Sequence, residues 1–130
     1  MYSIEKKDFG FYLTFTGYID DPEMKRWAEE SHSNLQSVSS PFGVFVDMRN
    51  LKPLPDTSQK FMQDGQKEYK AKGMERSAVV VANAVTKMQF KRIAQETGIY
   101  DWERYIDEQS APDWEKKAMD WIKDGIDPDA

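Results

Sequence analysis

The order of the hydrophobic runs constrains this chain more than any other feature. Phe9, Phe11, Leu13 and Phe15 alternate with Gly10, Tyr12, Thr14 and Thr16. That period of two reads as a strand with one strongly apolar face. Tyr2 and Ile4 mark a shorter strand before it, and Lys7, Asp8 and Gly10 supply turn chemistry. The pair reads as a hairpin, Tyr2–Lys6 and Phe11–Gly17. Three helix-then-strand units follow, and an amphipathic, Trp-bearing helix over Asp113–Lys123 closes the chain. The order β-β-α-β-α-β-α-β-α predicts an α/β fold: a single domain with a mixed β-sheet and helices. Right-handed crossovers would set neighbouring strands parallel. A ligand would then lie beyond the carboxyl ends of the parallel strands.

Local signals place the elements. Asp20, Asp21 and Pro22 open a helix, as a capping carboxylate followed by proline. Met24, Trp27, Ala28, Ser31, Leu35 and Val38 share its apolar face, and Ser39-Ser40-Pro41 should end it. Phe42–Met48 reads as a strand buried on both faces, followed by a loop over Arg49–Pro55. Asp56, Thr57 and Gln59 start a second helix, with Phe61, Met62, Gly65 and Tyr69 on one face and Gly73 as its stop. Gly65 costs a helix interior ~1 kcal/mol against Ala, which points to close packing there. Ser77–Ala82 is the most β-like run and reads as the central strand. Asn83 caps a third helix whose core face is Phe90, Ile93, Ala94 and Thr97, with Gly98 as its end. Ile99–Ile106 is read as a fifth strand. The last helix buries Trp114, Ala118, Trp121 and Ile122. The domain is expected to span residues 1–124, with 125–130 a short acidic tail that frays.

Composition narrows the function classes. The 130 residues suit one domain. Only 39% are hydrophobic, but 4 Trp, 6 Tyr and 7 Phe give each buried position a large area. The absence of Cys excludes disulfides, thiolate catalysis and Cys-based zinc sites. A net charge of −5 argues against a nucleic-acid binder that works through phosphate contacts. No apolar run approaches the ~20 residues of a membrane span, and Met1–Lys7 lacks the apolar core of a signal peptide. A soluble, cytoplasmic protein without integral membrane association is expected, and nothing signals a metal or another cofactor.

Three strings, GVFVDMRN (Gly43–Asn50), ERSAVVVANA (Glu75–Ala84) and KKAMDWI (Lys116–Ile122), occur within this element order. Together they resemble the STAS superfamily of anti-sigma-factor-antagonist domains, and within it the SpoIIAA-like, STAS/SEC14-type branch. The resemblance covers nearly the whole chain and rests mostly on core positions. It implies a non-enzymatic domain that binds protein partners or a small apolar, lipid-like ligand. In classical members a Ser in a D-S-S-G-like loop before the second helix is phosphorylated. Asp56-Thr57-Ser58-Gln59 occupies the corresponding region, which makes Thr57 and Ser58 the possible phosphoacceptors. It departs from the motif in having Thr for the first Ser and Gln for the Gly, with two prolines ahead of it.

The same string also reads as a plain helix start, with Asp56 or Thr57 capping and Gln59 reaching back. Asp47, Arg49 and Asn50 end the third strand, and Asn83 and Thr86 follow the next. If the strands are neighbours, these residues converge on one rim beside two helix N-termini, where an anion or polar headgroup would fit. The plainer alternative gives Asn83 a capping role and Asp47 an ion pair with Arg49 or another base. Val85 and Met88 lie on the side of the third helix away from its core face. With Met62 and Tyr69 they would supply the apolar area of a contact groove or a homodimer face. His32 has no catalytic or metal-binding partner at a telling spacing. An enzyme would need a convergent pair such as Asp47 with Glu103, and nothing in the spacing joins them. The leading expectation is a binding or regulatory module, acting through a protein partner, self-association or a small apolar ligand. A regulator switched at Thr57 or Ser58 is the alternative.

Overall fold

The computed structural model describes all 130 residues. Strands β1 (Tyr2–Lys7) and β2 (Gly10–Gly17) form the hairpin. Helix α1 (Asp21–Leu35), strand β3 (Phe42–Leu51), helix α2 (Asp56–Ala71), strand β4 (Met74–Val81) and helix α3 (Ala84–Thr97) follow. A short 3-10 turn at Tyr100–Trp102 leads into strand β5 (Glu103–Asp107), and helix α4 (Trp114–Asp124) is the last element. The sheet order is β1-β2-β3-β4-β5, the order of the chain itself. Strands β1 and β2 pair antiparallel, and every later pair is parallel.

Strand alternation sorts the core into two layers. Phe11, Leu13 and Phe15 of β2, Val44, Val46 and Met48 of β3, and Val79 and Val81 of β4 join one cluster. Trp27 of α1, Met62 and Tyr69 of α2, and Phe90 and Ile93 of α3 pack in that cluster. The opposite residues, Phe45, Ala78, Val80 and Ile106, meet Ala118, Trp121 and Ile122 of α4. Three helices thus cover one sheet face, and α4 covers the other.

Helix α1 begins as expected. The Asp20 Oδ1 accepts from the Glu23 N–H at 3.0 Å. It ends earlier than expected, at Leu35, with Gln36 as its cap. The serine-rich stretch beyond offers the backbone side-chain hydrogen bonds that compete with helix. Val38 packs on the core from outside the helix. Strand β3 runs longer than expected, because pairing of Thr16 with Asn50 and Gly17 with Leu51 carries it past Met48. Arg49 and Asn50 are therefore strand residues rather than loop. The expected strand over Ile99–Ile106 is in part the 3-10 turn. The segment 125–130 folds back on the body of the protein, where Asp127 is ion-paired to Arg104 at 2.9 Å.

Gly65 is where α1 and α2 touch. A Cβ at that position would lie 2.3 Å from the Trp27 ring. Trp27 is buried, stacked on Tyr69 at 6.0 Å between centroids and edge-on to Phe15 at 5.5 Å, so retreat would disturb both contacts. Gly65→Ala should gain ~1 kcal/mol of helix propensity but force an overpacked core costing ~1–3 kcal/mol or more. Urea unfolding is expected to show a net loss of stability. A more stable variant would contradict this packing.

Candidate functional site

The polar residues at the carboxyl end of the sheet fall into two groups on opposite faces. Asp47 shares the strand phase of Phe45 and therefore faces the α4 layer. Its Oδ1 accepts from Arg49 Nε at 3.0 Å and from the Arg49 backbone N–H at 3.1 Å, and its Oδ2 accepts from Nη2 at 2.9 Å. The guanidinium lies over the Trp114 ring at 4.2 Å, and Glu108 stands 3.8 Å away. Hydrogen bonding to Asp47 raises the Arg49 pKa further still. Burial, helped by the charge of Asp47, pushes the neighbouring Tyr12 hydroxyl up as well. This is a closed ion pair clasped by a tryptophan.

Asn83 belongs to the other layer, where its Oδ1 caps α3 by accepting from Val85 N–H at 2.7 Å and Thr86 N–H at 3.1 Å. Buried Thr86 donates to the Leu51 carbonyl at 3.3 Å. Gln89 accepts from Leu54 N–H at 2.8 Å and donates to its carbonyl at 2.9 Å. The start of α3 thus holds the loop after β3. Asp47 and Arg49 do not converge with Asn83 on one rim, as their spacing had suggested, because strand phase sends them to the other side of the sheet.

Thr57 and Ser58 do not cap α2. Pro55 occupies the cap position without a side-chain bond. Both hydroxyls instead donate across to Asp21 Oδ1 at the start of α1, at 2.8 and 2.6 Å. Ser58 first and Thr57 second hold the Asp21 carboxyl below the usual carboxylate range. Thr57 is exposed, whereas Ser58 is fully buried. A phosphate on either would face the Asp21 carboxylate, and like charge at that distance is repulsive.

Met62 and Tyr69 are core residues and supply no surface for a groove. The Tyr69 hydroxyl shares a 2.9 Å hydrogen bond with Ser31, and burial raises its pKa. Together with Trp27 and Phe90 they line an interior cavity of about 30 Å³. That volume suits a single water and not an acyl chain. Val85 and Met88 are exposed as expected, at 61% and 71%. His32 pairs with Glu68 across α1 and α2 at 2.5 Å. No three His, Cys, Asp or Glu side chains gather as a metal-binding set, and no helix is long and apolar enough to cross a membrane.

Glu103 lies on the α1–α3 side of β5, across the sheet from Asp47. The two carboxyls therefore do not form an acid–base pair. Glu103 is fully buried, accepts from the Ser77 hydroxyl at 2.6 Å and touches the Tyr105 hydroxyl. Tyr105 also reaches the Phe90 carbonyl at 3.0 Å. Tyr105 has one hydroxyl proton, which it shares as donor between the Phe90 carbonyl and the Glu103 carboxyl. Burial raises the Glu103 pKa, and the hydroxyls of Ser77 and Tyr105 oppose the shift only in part. Nothing in the strand pattern signalled this cluster beyond one acidic residue in phase with Tyr105.

No protein-family model matches the chain, and no curated protein matches it.

The raised Glu103 pKa has a definite sign in stability. The folded chain keeps a proton that the unfolded chain releases near pH 4.5. Wild-type stability should fall as pH climbs from there to the folded-state pKa. Glu103→Gln removes that titration. Its stability relative to wild type is expected to rise across the same window in a urea-unfolding series. A difference that stays the same at every pH would show that Glu103 ionises alike in both states.

Proposed function

We propose that this chain is a non-enzymatic, STAS-like binding module of the cytoplasm, working by protein contact through the outer face of α3. The observation that carries this reading is the pair Val85 and Met88, 61% and 71% exposed one turn apart. The helix bearing them is otherwise anchored by Thr86, Phe90, Ile93 and Ala94 in the core. Tyr18, 63% exposed after β2, adds a further large apolar residue beyond the carboxyl ends of the strands. Surface methionine adapts to the shape of a partner.

The first occupant is a second copy of the chain. Arg92 and Glu96 continue the α3 face beyond Met88; neither is ion-paired within the chain, although Arg92 donates to Gln59 and Glu96 accepts from Gln63 of α2, bonds that a partner's charges would have to replace. Two α3 helices crossing about a two-fold axis would bring unlike charges together beside the shared apolar tip. The non-enzymatic part of the reading draws support from how the acidic groups are engaged. Asp47 is closed by Arg49, and Glu103 is sealed under two hydroxyls on the opposite face. Contact at an outer face also fits an interior cavity of only about 30 Å³ better than enclosure of a lipid-like molecule does.

Light scattering after size exclusion tests this directly. The mass should rise toward that of a dimer as concentration increases. Met88→Lys should weaken association at least ~10-fold, about 1.4 kcal/mol, with the unfolding midpoint unchanged at concentrations where both proteins are monomeric, because the side chain is exposed. A monomer at every concentration, for wild type and variant alike, would rule out self-association at this face.

A further inference from the structure

A second polar site lies on the other side of α3, along the free edge of the sheet. Strand β5 pairs only with β4 and leaves its outer side open. A cleft of about 350 Å³ runs along it, with Lys87 and Lys91 of α3 on one wall and Arg104 on the other. The Arg104 guanidinium is fixed before any partner arrives. It stacks over the Trp121 ring at 4.2 Å, and its Nη1 donates to the Asp101 and Glu103 carbonyls at 2.9 and 3.1 Å. The Trp121 Nε1 is anchored in turn on the Ser77 carbonyl at 3.0 Å. The two remaining donors, Nε and Nη2, form the planar fork that suits a carboxylate.

The chain's own acidic segment fills that fork. Gly125 turns back from α4 with φ +67°, a conformation that disfavours any side chain. Asp127 then meets Arg104 side-on, accepting at 2.9 Å from Nε and 3.2 Å from Nη2. Asp129 stands 3.9 Å from the same guanidinium. Lys87 and Lys91 of the same cleft have no ion-pair partner. Without Asp127 and Asp129, three cations would face Asp101 and the buried Glu103 alone. The segment's hold on the body of the protein is narrow, since Asp127 and Asp129 are 37% and 68% exposed.

We propose that the Arg104 cleft is a docking site for an acidic peptide segment of a partner protein, and that Gly125–Ala130 occupies it in cis as a competing stand-in. The Asp-Pro-Asp of residues 127–129 is then the pattern of the ligand: two carboxylates on a short, stiff segment. One carboxylate takes the Arg104 fork, and the second stands beside the same guanidinium in a cleft that Lys87 and Lys91 also line. An incoming acidic segment must displace the tail, so its affinity is reduced by the fraction of chains in which the tail is bound.

The test uses the full chain and a fluorescein-labelled peptide with the sequence of residues 125–130. Wild type should bind the peptide weakly. The D127N/D129N variant, whose own tail no longer competes, should bind it at least ~10-fold more tightly, and added salt should weaken the complex. In that background K87E/K91E, at side chains outside the core, should remove the gain, as should R104Q. The proposal is overturned if D127N/D129N binds no more tightly than wild type, or if the lysine reversal leaves binding unchanged. It is overturned equally if inorganic pyrophosphate displaces the peptide at far lower concentration than the unlabelled peptide does, since the cleft would then be a phosphate site. Met88→Ser, which removes the apolar contact without adding charge beside Lys91, should leave this binding unaltered, which separates its outcome from that of the α3 contact.

Discussion

Chain order and strand order coincide in this sheet, and the rest of the architecture follows from that constraint. Each parallel step moves to the next strand in the same direction, so right-handed crossovers stack α1, α2 and α3 on one face. Only α4, which follows the last strand, is left for the other face. The division is unequal. One layer holds a 23-residue apolar cluster, and the other an 8-residue cluster built around Trp121 and Phe45. A thin layer needs fasteners, and arginines supply them. Arg49 stacks on Trp114 at one end of α4, and Arg104 stacks on Trp121 near the other. Arg76 donates to the Ile122 carbonyl at the helix's last turn, 3.3 Å away. Cations at that end also suit the helix dipole.

The same division decides what the polar groups are free to do. The thick layer is tied internally by Ser58 and Thr57 on Asp21, Tyr69 on Ser31, and Gln66 accepting from Thr97 at 2.7 Å. These bonds join α1 to α2 and α2 to α3, so the three helices hold one another as well as the sheet. The groups left unspent lie outside this network. They are Val85 and Met88 on the outer stripe of α3 and the lysines beside β5. The apolar contact surface lies on the thick layer, and the cationic one spans the sheet edge between the lysines of the thick layer and Arg104 of the thin one.

Much of this was legible in the residues, because period and punctuation report local structure directly. The alternation over Phe9–Thr16, the Asp20–Pro22 start and the Asn83 cap each correspond to what forms. The element order was readable for the same reason. Two things were not. Element ends depend on partners distant in sequence: β3 continues to Leu51 because β2 is there to pair with it. Faces depend on strand phase across the whole sheet, which is why Asp47 and Asn83, both near carboxyl ends, are kept apart. Met62 and Tyr69 could not be told from groove residues by helical spacing alone, since a groove and a core use the same apolar stripe. The Arg104–Asp127 pair joins residues 23 apart through a turn at Gly125 and carries no local signature.

A domain that works by contact at its outer edges, as proposed, would enclose no ligand in an interior cavity of only about 30 Å³. A native mass spectrum of gently purified protein tests that most directly. The expected result is the polypeptide mass and its whole-number multiples, unchanged by prior organic extraction. A small-molecule mass that accompanies the chain and disappears on extraction would contradict the account. It would mean that the cavity among Trp27, Met62, Tyr69 and Phe90 opens to enclose a ligand.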